Sequence, residues 1–367
     1  MSSTFNARIA VEKAVEAVKA LSSSVDCAVA CVSGGVDSTV ATIIARLALG
    51  ERLYPVFIDT GFMRKGEAQR VRDSLKDFFD IEVYDYSEEF ISSIEGLSDA
   101  EEKRIAFREK FYSTVKEIAR EKNCSWVVQG TIKADVVETL GRIKTQHNVL
   151  PRELLERYGL KVIEPLVDFY KHEVRAIARY LGVPESIISR QPFPGPGLLI
   201  RAVGKLTREK LELVRRLTSL VEEKLEGYGF SQYFPAAWEY TVVNKGFTSG
   251  VEYEVLGVKT TGVYEGTRTY GYPVLAKSYS GDVYELYKLF NPREHPHVLV
   301  ELARRDSGAY LVAIRAVETV DYVKASVPRV SIEELRVLAE EILEKESSVR
   351  VVAFDITPKP PATIEYE

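Results

Sequence analysis

The sequence predicts an α/β protein: a parallel sheet flanked by helices, followed by a smaller α+β domain. Three observations carry that prediction. Through the first half of the chain, short apolar runs alternate with amphipathic helical stretches, as parallel strands joined by crossover helices require. The loop Ser33-Gly34-Gly35-Val36-Asp37-Ser38-Thr39 joins one such run to one such helix. Past Pro184 the alternation stops, and Pro192-Phe193-Pro194-Gly195-Pro196-Gly197 admits neither regular helix nor central strand, so it reads as a rigid connector.

Taken in order, Phe5, Ile9, Val11, Val15, Val18 and Leu21 among Glu and Lys form one face of an N-terminal amphipathic helix rather than a signal peptide. Val25–Val32 is a run of strand length, and Val40, Ile43, Ile44, Leu47 and Ala48 recur at helical spacing after it. Leu53–Ile58, Ile81–Tyr86 and Trp126–Val128 read as further strands; Glu67–Phe79, Glu101–Ala119 and Glu173–Leu181 read as helices. Beyond the connector, helices are expected over Lys205–Glu226 and Ile332–Glu344. Strands are expected at Tyr240–Asn244, Tyr253–Lys259, Tyr270–Ala276, Leu311–Val317 and Val349–Asp355. The division expected is therefore 1–191 and 192–367.

Charge and composition narrow the function classes. With 367 residues, a net charge of -5 and no polybasic tract, nothing points to nucleic acid as the main partner. No apolar run reaches membrane-spanning length, so a cytoplasmic protein with no membrane association is expected. Cys27, Cys31 and Cys124 have no paired spacing and fit free thiols in a reducing compartment. His295 and His297 flank Pro296 without further ligands nearby, which argues against zinc.

The loop after the first strand carries the chemistry. Gly34 and Gly35 permit backbone dihedrals and a close approach that a Cβ would block. The helix they open offers unpaired N–H groups and the positive end of its dipole to an anion. Ser33, Ser38 and Thr39 add hydroxyls, and Asp37 would help hold Mg²⁺ on a polyphosphate. No lysine stands where a G-x-x-x-x-G-K-[ST] loop would place one. Asp59-Thr60-Gly61 and Gln129-Gly130-Thr131 fall at the ends of other strands, so three polar clusters meet at one sheet edge. Asp135 and Glu138, one helical turn apart, would either share the metal or cap and solvate a helix start.

The loop resembles the PP-loop of N-type ATP pyrophosphatases, the adenine nucleotide α-hydrolase-like fold. Further blocks extend the likeness: Phe57–Arg64, Gln129–Glu138, Ile143–Val149, Ile163–Leu166, Arg190–Gly197, Arg315–Asp321 and Lys359–Glu367. Together they resemble the ATP-pyrophosphatase (XMP-aminating) subunits of those archaeal GMP synthases that are made of two separate chains, subunits which lack a glutamine amidotransferase domain. The resemblance implies a ligase that adenylates xanthosine monophosphate (XMP) with ATP and Mg²⁺, then aminates it with ammonia from a separate glutamine amidotransferase subunit. It implies ATP binding by Ser33, Gly34, Gly35, Val36, Asp37, Ser38, Thr39, Asp59 and Gly130, with Asp37 and Asp135 at the metal. Lys144, in a lid over Gly141–Asn148, would be the catalytic cation at the α-phosphate, with Asp37 the other catalytic residue. Arg104, Lys359, Ile364 and Glu365 match positions that bind XMP. The second domain would carry homodimerisation, with an atypical insert near 278–307. No cysteine sits in a glycine-flanked turn suited to a glutaminase nucleophile, so the chain alone should use only free ammonia.

Overall fold

A computed structural model describes residues 5–140, 157–278, 281–320 and 322–367; the side chains of 137–140 and 278 are not part of that description. The chain divides into two compact units. The first takes residues through Gly61 with Gly66–Phe90 and Phe107–Gly195; the second takes Phe62–Lys65, Ile91–Ala106 and Pro196–Glu367. A single cut at 191/192 does not provide for the two early excursions into the second unit.

The first unit is built on five parallel strands, β1 (Ala28–Cys31), β2 (Leu53–Asp59), β3 (Glu82–Asp85), β4 (Trp126–Val128) and β5 (Lys161–Ile163). Their order is β3-β2-β1-β4-β5. Ala28, Val29 and Ala30 of β1 are fully buried, as expected of a parallel strand covered on both faces. Helices α1 (Ala7–Leu21) and α2 (Val36–Leu49) pack on one another and on the helix Lys171–Tyr180. Asn6 starts α1 by accepting a hydrogen bond from the Ile9 N–H (3.1 Å), and Gly50, at φ +59°, ends α2. The chain builds outward from β1 in one direction through β2 and β3, then returns to add β4 and β5 on the other side. This reversal opens a crevice at the carboxyl end of β1, where ligands bind in such sheets.

The second unit holds a seven-stranded mixed sheet made of β6 (Gln232–Glu239), β7 (Val242–Thr248), β8 (Val251–Leu256), β11 (Val274–Ser278), β12 (Val298–Arg304), β13 (Tyr310–Val317) and β14 (Val349–Asp355). Its order is β6-β13-β14-β12-β11-β8-β7, and a separate hairpin pairs β9 (Thr260–Tyr264) with β10 (Thr267–Gly271). The helix Arg208–Leu225 packs on β6, and Ile332–Lys345 packs on β12 and β14. Phe234, Trp238, Leu256, Leu299, Val351 and Tyr366 share the core.

Three expectations are corrected here. The segment near 278–307, read from sequence as an atypical insert, supplies β12, whose Val298, Leu299 and Val300 are buried between β11 and β14. The strand expected at Tyr240–Asn244 straddles the turn between β6 and β7, and Tyr270–Ala276 breaks at Tyr272-Pro273 into β10 and β11. Nor are all three cysteines free: Cys27 and Cys124 form a disulfide across 97 residues of sequence. Both stand just ahead of neighbouring strands, β1 and β4, where Ala28 lies opposite Trp126 and the two Cα atoms come within 4.9 Å. The free-thiol argument for a reducing compartment falls with this pairing. Among the described residues no helix is long and apolar enough to cross a membrane.

The disulfide closes a long loop in the unfolded chain, so reducing it, or substituting Cys27→Ser, is expected to cost about 2–4 kcal/mol. Denaturant unfolding with and without reductant measures this; a midpoint indifferent to reductant would refute it.

Candidate functional site

The loop between β1 and α2 is held open toward its helix by geometry that only glycine supplies. Gly34 sits at φ +79°, and a Cβ there would lie 2.5 Å from Val71 Cγ2. Gly35, in extended conformation, caps α2, and the Thr39 N–H makes an early helical bond to the Gly35 carbonyl (3.1 Å). Val36, Asp37 and Ser38 therefore present first-turn N–H groups that have no partner within the helix. The serine hydroxyls brace the loop: Ser38 Oγ accepts from the Ser33 N–H (3.2 Å), lies 3.0 Å from Ser33 Oγ and donates to the Gly35 carbonyl (3.1 Å).

Two neighbours fix the loop from behind. Gly130, after β4, lies so close that a Cβ would fall 2.8 Å from both Asp37 C and Ser38 N. Arg190 forms a two-pronged ion pair with the buried Glu67 carboxylate (2.6 and 2.8 Å), and a Cβ on Gly34 would sit 3.3 Å from its guanidinium. Asp59 closes the end of β2, its Oδ1 accepting from the Gly61 N–H (2.9 Å).

Asp37 has two different oxygens. Oδ2 is ion-paired with Lys171 Nζ, whereas Oδ1 is buried with no hydrogen-bond partner in the protein. Lys171 opens its own helix, where the dipole disfavours a cation, so its placement is offset by the Asp37 charge. An unsatisfied carboxylate oxygen beside a phosphate-type loop fits a hard cation, which takes one or two carboxylates and fills its shell with phosphate oxygens and water. Among the described residues no group of three His, Cys, Asp or Glu gathers as a metal site. Asp135 accepts from the Ile132 N–H (3.0 Å), an arrangement that caps its helix. Lys144 and the stretch Gly141–Asn148 lie outside the described residues, as does the Glu138 side chain.

The second unit gathers a separate polar cluster. Arg104 is largely buried, its Nε without a hydrogen-bond partner and its nearest carboxylate, Glu101, at 3.8 Å. Burial, with the charge of Arg268 beside it, lowers the Arg104 guanidinium to about 10. Two arginine charges that act on one another, with Glu101 no nearer than 3.8 Å to Arg104, suit an anion. Glu365 is already engaged, accepting from Arg201 (3.1 and 2.9 Å) and Gln232 (2.8 Å). Ile364 belongs to the core, and Lys359 Nζ donates to the Tyr322 carbonyl. The buried Lys103 pairs with the Glu367 side chain and donates to the carbonyls of Ala202 and Gly204 (3.0 Å each). Segment 359–367 is thus packed structure rather than a loose tail.

Comparison with known proteins bears on both units. Residues 297–366 match the family model for the GMP synthase C terminal domain, and residues 23–200 match that for thiamine biosynthesis protein (ThiI). The chain is 47% identical to the B-subunit of GMP synthase (glutamine-hydrolyzing) from Sulfurisphaera tokodaii, covering 93% of this chain and 94% of the relative. Identity is 46% to the same-named protein of Saccharolobus solfataricus, covering 92% of this chain and 93% of the relative. It is 38% to that of Methanopyrus kandleri, covering 93% of each.

The chain belongs to the GMP synthase B-subunit family.

Among solved structures, NMN synthetase from Francisella tularensis resembles it at TM-score 0.42 and 16% identity, covering 58% of this chain and 94% of the other. Three supports of these clusters carry little or no signal in the sequence. Lys171 reads from sequence as a residue of a plain surface helix as readily as of the nucleotide site, because nothing ties it to a loop 134 positions away. Arg268 and the Arg190–Glu67 pair carry no spacing signal, although Arg190 stands within the block Arg190–Gly197.

Gly130→Ala tests the close approach directly. Its methyl group would have to displace loop backbone, and misplacing reacting groups by about 1 Å costs roughly a hundredfold. ATP turnover should fall by that order with the melting temperature nearly unchanged; wild-type turnover would show that the loop tolerates the shift.

Proposed function

We propose that the chain converts XMP to GMP, using ATP for adenylation and ammonia for amination, with the ammonia supplied by a separate glutamine amidotransferase subunit. The observation that carries this reading is the loop Ser33–Thr39 at the sheet's switch point, in a chain whose relatives are GMP synthase B-subunits. The purine C2 oxygen of XMP attacks the α-phosphorus of ATP. The loop amides and the hydroxyls of Ser33, Ser38 and Thr39 receive the charge on the departing pyrophosphate. Ammonia then displaces AMP at C2 of the adenylyl-XMP intermediate. Asp37 would hold Mg²⁺, which neutralises polyphosphate charge when bound; Asp135 is the weaker candidate, since it already caps a helix. In this reading Lys144 meets the α-phosphate, Val36 and Gly130 line the ATP loop, and Asp59 shapes its rim. Arg104 with Arg268, and Lys359 on the segment that carries Ile364 and Glu365, receive XMP.

The alternative is a thiolating enzyme built on the same ATP chemistry. The cysteines argue against it. Cys27 and Cys124 are paired, and burial pushes the Cys31 thiol up to about 12, leaving no thiolate for sulfur or for glutamine chemistry. A homodimer in the cytoplasm, formed through the second unit, completes the proposal.

Incubating the purified chain with ATP, Mg²⁺ and XMP should yield GMP, AMP and pyrophosphate in equal amounts with ammonium, and none with glutamine until the glutaminase partner is added. Glutamate released by the chain alone would overturn the division of labour. Arg268→Ala removes one charged contact, of order 1.5–3 kcal/mol, and should weaken XMP binding roughly tenfold to a hundredfold. Calorimetric titration should show ATP affinity unaltered; unchanged XMP affinity would remove Arg268 from the site.

A further inference from the structure

His297, Asp355, Arg315 and Tyr366 form a fully buried cluster in the second unit. Asp355 Oδ2 accepts from His297 Nδ1 (2.6 Å), Arg315 (2.8 Å) and the Tyr366 hydroxyl (2.9 Å), while Oδ1 accepts from the Thr357 N–H (3.0 Å). Burial pushes the Asp355 carboxyl up, but Arg315 and His297 outweigh it and hold the group at about 2. The other histidine nitrogen, Nε2, lies 2.9 Å from the carbonyl oxygen of Thr261. Both ring nitrogens therefore face oxygens that can only accept. A neutral imidazole has one N–H and would set its lone pair against one of these oxygens at a fully buried position. The imidazolium satisfies both. The Tyr366 ring, whose centroid is 4.6 Å from that of His297, adds a π-face suited to a cation.

What the cation joins gives it a role. Thr261 lies on the β9–β10 hairpin that carries Arg268, and its N–H donates to the Tyr366 carbonyl (2.8 Å) while its hydroxyl meets that of Thr363 (2.7 Å). Two residues on, the Val263 N–H donates to the Pro361 carbonyl (2.7 Å). Arg315 reaches the same segment from the sheet, donating to the carbonyls of Thr357 (3.1 Å), Thr363 (2.8 Å) and Ile364 (2.9 Å). We propose that His297 is a positioning residue for the nucleotide site: as a buried imidazolium it clamps the hairpin at Thr261 to Asp355 at the end of β14, and so fixes the segment carrying Lys359, Ile364 and Glu365. The proposal rests on the reading of that segment as the XMP site.

Three measurements test it. In wild-type protein labelled with ¹⁵N at its four histidines, His297, assigned by loss of its signal in His297→Gln, should carry a proton on each ring nitrogen, one for each of its two acceptors. A single neutral tautomer at pH 7 would overturn the proposal. In His297→Gln, which keeps one donor, and His297→Phe, which keeps none, amide exchange over Lys359–Tyr366 should accelerate, more in the phenylalanine variant. KM for XMP should rise about tenfold or more, with ATP affinity unchanged. Wild-type exchange in the folded glutamine variant would overturn the clamp whatever happens to XMP. Faster exchange in a protein whose wild-type form binds no XMP would uphold the clamp and overturn the XMP reading beneath it.

Discussion

A carboxylate with no exposure to water must be satisfied by the protein alone, and in the second unit Asp355 is satisfied by groups from three separate stretches of chain. Arg315 comes from β13, His297 from the lead-in to β12, and Tyr366 from the segment that follows β14. Breaking one contact of such a set leaves an uncompensated buried charge, which is far more costly than the set is stabilising. The cluster therefore acts less as a source of stability than as a specification. Only one arrangement of sheet, hairpin and segment 357–367 satisfies every member, and the polar atoms on that segment take their places as a result.

The first unit achieves its precision by the opposite means, with glycine and small side chains in place of charge. Ala28 and Ala30 of β1 are fully buried, Gly34 leaves room for the Val71 side chain, and Gly130 lets backbone approach backbone at the phosphate loop. Two ion pairs flank the loop. Arg190–Glu67 is two-pronged with Glu67 buried. Lys171–Asp37 is the more exposed of the two and is held less firmly.

Much of this is legible in the sequence, because it depends on local pattern. Strand β14 matches its expected bounds residue for residue, and the helix Ala100–Glu121 agrees to within two residues at each end, since both have clear periodicity. The phosphate loop is legible because six of its residues act within one turn of chain. What is not legible depends on pairing between distant segments. Strand β12 hides within the segment near 278–307 that reads as an atypical insert, and its strand character comes from the partners on either side. Cys27 and Cys124 meet only because β4 adds beside β1, and Lys171 reaches Asp37 only because two helices converge. From sequence, Asp135 is an even choice between ligand and cap, and a capping bond to the Ile132 N–H is what the structure contains.

The packing of segment 357–367 has a bearing on how the protein comes into being. Glu365 pairs with Arg201 across 164 positions of sequence, and Glu367 pairs with Lys103, farther away still. Domains tend to fold in the order of synthesis, and contacts of such long range are slow to form. During translation the first unit can settle while the strands from β6 onward still lack Tyr366 in their core. Until that residue arrives, the apolar faces of the second unit stay open to solvent and to other chains. In the growing cell, the interval between synthesis of the phosphate loop and synthesis of Tyr366 is therefore when the molecule is most exposed to misassembly.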